Sequence, residues 1–153
     1  MSEISRVALF GKLNPTLYKA VESATVFCKL RGNPFVELAH WLHQLMQLAD
    51  SDLHRVLRRF EIDASRLAAD MVQALERLPN TATQIQDFSP QLEQAVERAW
   101  VYGSLKYGHS QVRGGSLLLG LVKTPSLRTS LDRLSPEFRK INADLLSEQL
   151  PAI

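Results

Sequence analysis

The sequence predicts an all-α fold: two tandem four-helix repeats with pseudo-twofold symmetry, preceded by an extra short N-terminal helix. Three observations carry this reading. The chain contains an internal duplication, each copy opens on a capping residue followed by proline, and no alternating apolar–polar run marks a strand. At 153 residues the chain suffices for one domain with a substantial core. It divides into an N-terminal segment 1–13, repeat one at 14–78, a linker at 79–88 and repeat two at 89–151.

The N-terminal segment has no counterpart ahead of the second repeat. Ile4, Val7, Ala8 and Phe10 are spaced to form one side of a short helix that docks on the repeats. Repeat one then opens on Asn14-Pro15 and repeat two on Ser89-Pro90. Asn and Ser accept hydrogen bonds from first-turn amides, and proline at the first helical position lacks only an N–H that would be unpaired anyway. Aligning 14–31 with 89–106 gives eight identities in 18 positions: Pro15/Pro90, Leu17/Leu92, Ala20/Ala95, Val21/Val96, Glu22/Glu97, Ala24/Ala99, Val26/Val101 and Leu30/Leu105. Composition alone would give about one or two.

Leu17, Ala20, Val21, Ala24, Phe27 and Cys28 fall on one helical face, as do Leu92, Ala95, Val96, Ala99 and Tyr102. Gly32 and Gly108 suit the left-handed residue that closes a helix. Further helices are predicted at 35–48, 51–60 and 64–77, then at 113–122, 126–134 and 136–148. The echo persists through them, with Trp41-Leu42 answering Leu117-Leu118 and Leu53, Leu57 and Phe60 answering Leu127, Leu131 and Leu134. The linker is polar and aperiodic. Trp41, Trp100 and Tyr102 are expected in the core. A unit of about 65 residues is marginal alone, so the two copies should bury apolar faces against each other.

With 45% hydrophobic and 22% charged residues the composition is that of a globular chain, which excludes a disordered or fibrous class. A net charge of +2 points to neither nucleic acid nor membrane as partner. Arg55, Arg58 and Arg59 sit at helical spacing without interleaved aromatics and read as a solvated face. Cys28 stands alone, so no internal disulfide forms, and neither a signal peptide nor a membrane span is expected. A bacterial cytoplasmic location is expected.

The pattern P-x-L-x-x-A-V-E-x-A-x-V-x-x-x-L, followed by a glycine turn and a leucine-rich helix, resembles the Clp N-terminal repeat. The leucine-rich helix stands here as His40-Trp41-Leu42-His43-Gln44-Leu45 and as Ser116-Leu117-Leu118-Leu119-Gly120-Leu121. Ser116 departs from the histidine frequent there, which leaves the capping role of that position open. Within the family the chain is similar to the ClpV type, the AAA+ ATPases of type VI secretion. The likeness lies in Leu9–Leu13 (LFGKL), Ala24–Pro34 (ATVFCKLRGNP) and Ala99–Leu105 (AWVYGSL). It implies a recognition domain that binds an N-terminal helix of the large sheath subunit (the VipB/TssC type), so that an attached motor disassembles contracted sheath. It also implies a homohexameric parent, with this part a monomer. The alternative is a general Clp N-domain for adaptors or aggregated clients.

No catalytic site is expected. There is no G-x-x-x-x-G-K-[ST] phosphate loop, since Gly11-Lys12 is followed by Leu13 and lacks the upstream glycine. The chain therefore needs no cofactor, and ATP with Mg belongs to motor modules of the parent. His40 and His43 lack the further ligands that a closed zinc site requires, and Cys28 reads as an inert buried thiol. Glu22 and Glu97 occupy equivalent positions and read as polar helix anchors rather than an acid–base pair.

An amphipathic guest helix is best held in an apolar groove between helices. Phe10, Leu13, Leu17 and Val21 are candidates for apolar contact, Ala20 and Ala24 for close approach, and Phe88 and Leu92 for a contribution from repeat two. Each fits an ordinary core position equally well.

Overall fold

The computed structural model describes residues 5–153, so the expectation for Ile4 lies outside the described residues. The elements run α1 (Arg6–Phe10), α2 (Pro15–Leu30), β1 (Phe35–Val36), α3 (Leu38–Met46), α4 (Asp52–Arg59), α5 (Ala64–Glu76), β2 (Asp87–Phe88), α6 (Pro90–Tyr107), α7 (Gly114–Lys123), α8 (Pro125–Leu134) and α9 (Ala143–Gln149). A 3₁₀ turn, Pro136–Lys140, separates α8 from α9, and another closes the chain at Leu150–Ala152.

The opening helices start as their sequences dictate. Asn14 Oδ1 accepts from the Leu17 N–H at 2.9 Å, and Ser89 Oγ accepts from the Leu92 N–H at 3.2 Å. At their ends Gly32 and Gly108 have φ of +70° and +68°, a region in which a Cβ would be strained. The leucine-rich helices α3 and α7 begin alike. The Glu37 N–H donates to His40 Nδ1 at 2.8 Å, and the Arg113 N–H donates to Ser116 Oγ at 3.0 Å. Serine thus fills the capping role of histidine with a smaller side chain.

Two short parallel pairings, absent from the sequence reading, express the pseudo-symmetry. Phe35-Val36 pairs with Asp87-Phe88, and Leu13 bridges to Val112. Leu13 and Phe88 are equivalent positions before the opening helices, and Val36 and Val112 are equivalent positions before the leucine-rich helices. Each repeat therefore hands its leading strand to the other. This is why the helix predicted at 35–48 begins only at Leu38. The backbone ahead of it is extended, with the Pro34 and Val36 carbonyls accepting from the Gln86 and Ser89 N–H groups at 2.7 and 2.9 Å. The linker is tied down by the same contacts, by the Ala82 N–H to Gly32 O at 2.9 Å and by Asn33 Nδ2 to Pro79 O at 2.7 Å.

The helix predicted at 136–148 is also broken. The Arg128 guanidinium donates to the carbonyls of Ile141 at 3.0 Å and Phe138 at 3.2 Å, which a continuous helix would use internally. Asn142 then caps α9 by accepting from the Leu145 N–H at 3.0 Å.

One continuous apolar cluster runs through both repeats. Trp41 is fully buried and donates its indole N–H to Leu17 O at 3.1 Å. Trp100 and Tyr102, expected in the core, are only half-buried. Polar clasps cross the repeat boundary: Arg113 grips both oxygens of Asp52 at 2.9 and 3.0 Å, and Ser135 Oγ donates to Asp70 Oδ2 at 2.6 Å. No described helix is long and apolar enough to cross a membrane.

Candidate peptide groove

Helix α1 is too short to be stable alone and must be held by its neighbours. Leu9 and Phe10 enter the core, whereas Val7 and Ala8, expected on the same buried side as Phe10, are exposed, Val7 at 83%. The Phe10 ring meets Phe88 of β2 edge-on at 5.2 Å. Arg6 lies over the same Phe88 ring, its guanidinium 5.5 Å from the ring centre. Its guanidinium also pairs with Asp87 at 2.8 Å and with Glu93 in the first turn of α6. The hydrogen bond to Asp87 is the leading reason that the Arg6 pKa is raised and the Asp87 pKa lowered.

So pinned, α1 stands away from α2 and leaves a cavity of about 390 Å³. Arg6, Val7, Phe10 and Gly11 form one wall, Tyr18, Val21, Glu22 and Thr25 the other, and Phe88 contributes from β2. Three residues singled out from sequence, Phe10, Val21 and Phe88, line it. Leu13, Leu17, Ala24 and Leu92 do not; each is 4% exposed or less and packs in the core. Ala20 faces a separate cleft shared with Gln44 and Leu48. The close-approach role expected of Ala24 is thus taken up inside the molecule.

The missed lining residues are Arg6, Val7, Gly11, Tyr18, Glu22 and Thr25. Tyr18 offered a signal, being a large aromatic off the buried register of α2 and 46% exposed. Thr25 Oγ1 donates to Val21 O at 2.9 Å, which satisfies its hydroxyl locally. Among the described residues Tyr18, Glu22 and Glu97 make no side-chain hydrogen bond or ion pair, so no described partner supplies the helix-anchoring contact that the duplication suggested for the two glutamates.

The other chemical groups are accounted for by structure. His40 is fully buried with both nitrogens engaged, Nδ1 by the Glu37 N–H and Nε2 by Asn33 Oδ1 at 2.9 Å. No lone pair is left for a metal, and burial, reinforced by Arg31 and His43, pulls its pKa down to about 4. His43 stacks on Phe27 at 4.9 Å. Cys28 donates toward the Asn33 and Phe35 carbonyls, and burial pushes its thiol up to about 11. The arginine face is partly neutralised, Arg55 and Arg58 pairing with Asp50 at 3.6 and 3.4 Å. Lys12 lies over the Trp100 ring at 4.8 Å.

Comparison with known proteins gives consistent matches. Residues 12–132 match the Clp repeat (R) N-terminal domain family. The chain is 62% identical over 149 residues to the AAA+ ATPase ClpV1 of Pseudomonas aeruginosa, covering 97% of this chain and 16% of that protein. It therefore spans about one sixth of that relative. A structure solved in work on the coevolution of the ATPase ClpV, the TssB-TssC sheath and the accessory HsiE protein superposes with a TM-score of 0.96 at 60% identity, covering 99% of this chain and 94% of the other. A complex of a ClpV N-domain with a VipB peptide superposes with a TM-score of 0.84 at 25% identity, covering 98% of this chain and 91% of the other.

Proposed function

Since this chain belongs to the Clp repeat N-terminal domain family, we propose that it is the recognition domain of a ClpV-type AAA+ ATPase of type VI secretion. The groove between α1 and α2 seats a helix from the N-terminus of the large sheath subunit. The single observation that carries this is the open apolar cavity between those helices, in a fold shared with a ClpV N-domain that binds a VipB peptide.

The physics suits a helical guest. A helix presents apolar residues at i, i+3, i+4 and i+7, and a groove walled by two helices receives such a stripe along its length. Val7, Phe10, Tyr18, Val21 and Phe88 supply apolar surface on both walls. Because Arg6 and Phe10 fix α1 before any guest arrives, little ordering entropy is lost on binding. The domain performs no hydrolysis. ATP and Mg are used by the motor of the parent protein, a cytoplasmic homohexamer that extracts sheath subunits once this domain has captured them.

Titration calorimetry with a helical peptide from the N-terminus of the sheath large subunit tests the reading. Val7→Asp and Tyr18→Asp place charge at exposed positions of opposite walls and should leave the fold intact by circular dichroism. Each is expected to weaken binding by about tenfold or more, the loss typical of a disrupted contact centre. Unchanged affinity in both variants would overturn it.

A further inference from the structure

The groove carries a charge whose use its apolar character does not explain. Glu22 lines the α2 wall, is exposed, and has no ion-pair partner among the described residues. Arg6 is the sole described cation lining the cavity, and it is held by two carboxylates, Asp87 and Glu93. Counting these four side chains, one positive and three negative charges leave a local balance of −2, in a chain whose overall balance is +2. These described groups at and behind the α1 wall are acidic in balance where the whole chain is basic. One turn before Glu22, the Tyr18 hydroxyl also lacks a partner among the described residues, and the two residues, at i and i+4 on α2, both line the cavity.

From this we infer that the groove selects its guest by charge: the helix it takes is amphipathic with a basic residue flanking the apolar stripe, and Glu22 is the residue that reads it. This rests on the peptide-groove reading above and adds the chemical class of the partner. The apolar walls supply affinity without discriminating among amphipathic helices, because any Leu- or Val-rich stripe fits them. A rim carboxylate discriminates. It attracts a Lys or Arg brought within a few ångströms, repels a Glu or Asp at the same place, and steers the encounter at low salt. An acidic flank would meet Glu22 together with the excess carboxylate at Arg6. Its guest helix would be refused even with a well-fitting apolar face.

Two helical peptides derived from the sheath subunit's N-terminal segment provide the probe. They share one apolar stripe and differ only in carrying Lys or Glu at the flanking positions. Their affinities are measured by calorimetry for the wild-type domain, Glu22→Gln and Glu22→Lys, with chemical denaturation confirming that the exposed substitutions leave the fold unchanged. The wild type is expected to favour the Lys peptide by about tenfold at low salt, with Glu22→Gln reducing the preference to about threefold or less and Glu22→Lys reversing it. Half-molar salt should compress all three differences, since it shortens the screening length to about 4 Å. Equal affinity of the two peptides for the wild type, or a preference that persists undiminished in Glu22→Gln, would overturn the charge inference while leaving the groove in place. If neither peptide binds, the groove reading itself fails and this inference goes with it.

Discussion

Gly120 of α7 lies so close to Ala99 of α6 that a Cβ on the glycine would stand 2.8 Å from the Ala99 backbone nitrogen. The equivalent residue of repeat one is Gln44, and there α2 and α3 leave a cleft of about 270 Å³ between Thr16, Ala20 and Ser23 on one side and Gln44 and Leu48 on the other. The absence of a side chain at Gly120 is what permits the close approach of α6 and α7 in repeat two.

Gly120→Ala should force α6 and α7 apart. Overpacking against backbone cannot be relieved by a side-chain rotation, so a loss of about 1–3 kcal/mol is expected. The measurement is the urea midpoint at an unchanged slope. A variant as stable as the parent would mean that the helix pair relaxes without cost.

Acid should weaken the domain through His40. Its folded pKa of about 4 lies below the ordinary value of 6.5, so the unfolded chain binds the proton more readily between those values. Stability is therefore complete above the upper value and falls as pH drops toward the lower one. For this group alone the loss at about pH 5, relative to about pH 7.5, is about 2 kcal/mol. His43, also lowered by burial and by Arg31, adds in the same direction, while Glu37, raised by burial, opposes. Urea midpoints at the two pH values should show the loss in the wild type and a flatter response in His40→Gln. An equal slope in both would remove His40 as the cause.

Cys28 should be silent in the native state. Its thiol is fully enclosed, faces two carbonyl oxygens at 3.3 Å, and is pushed up to about 11. A thiol-specific reagent is expected to label it only in denaturant. Rapid labelling of the folded domain would place Cys28 at an opening.

Arg6→Ala should separate groove geometry from stability. The ion pairs of Arg6 are largely solvent-exposed and contribute little to global stability. They nevertheless hold the α1 wall against β2 and α6. Guest affinity is expected to fall severalfold with no measurable change in the denaturation midpoint. Unaltered affinity would mean that Phe10 and Leu9 alone seat the helix.

Local rules reach a long way in this chain. The starts of α2 and α6, the closing glycines and the two buried faces all follow from residues within a turn of one another, so they are legible in the linear sequence. Duplication extends that reach, because a pattern repeated with the same spacing must meet the same surroundings. For the same reason Leu17 and Leu92, read as groove candidates, belong to the repeated core. The groove lies along α1, a helix with no counterpart ahead of repeat two.

What only the tertiary structure decided depends on partners far along the chain. Arg128 takes the carbonyls that would have continued a helix through Ile141. Phe88 crosses to Val36, and Leu13 to Val112. Arg6 finds Asp87 and Glu93 more than eighty positions away. Helical periodicity says which side of a helix is apolar, but not which neighbour will cover it. By itself the sequence determined the duplicated helices and their caps, through local backbone chemistry. The exchange of leading strands and the groove beside α1 had to wait for packing, because they arise from contacts between segments with no short-range relation.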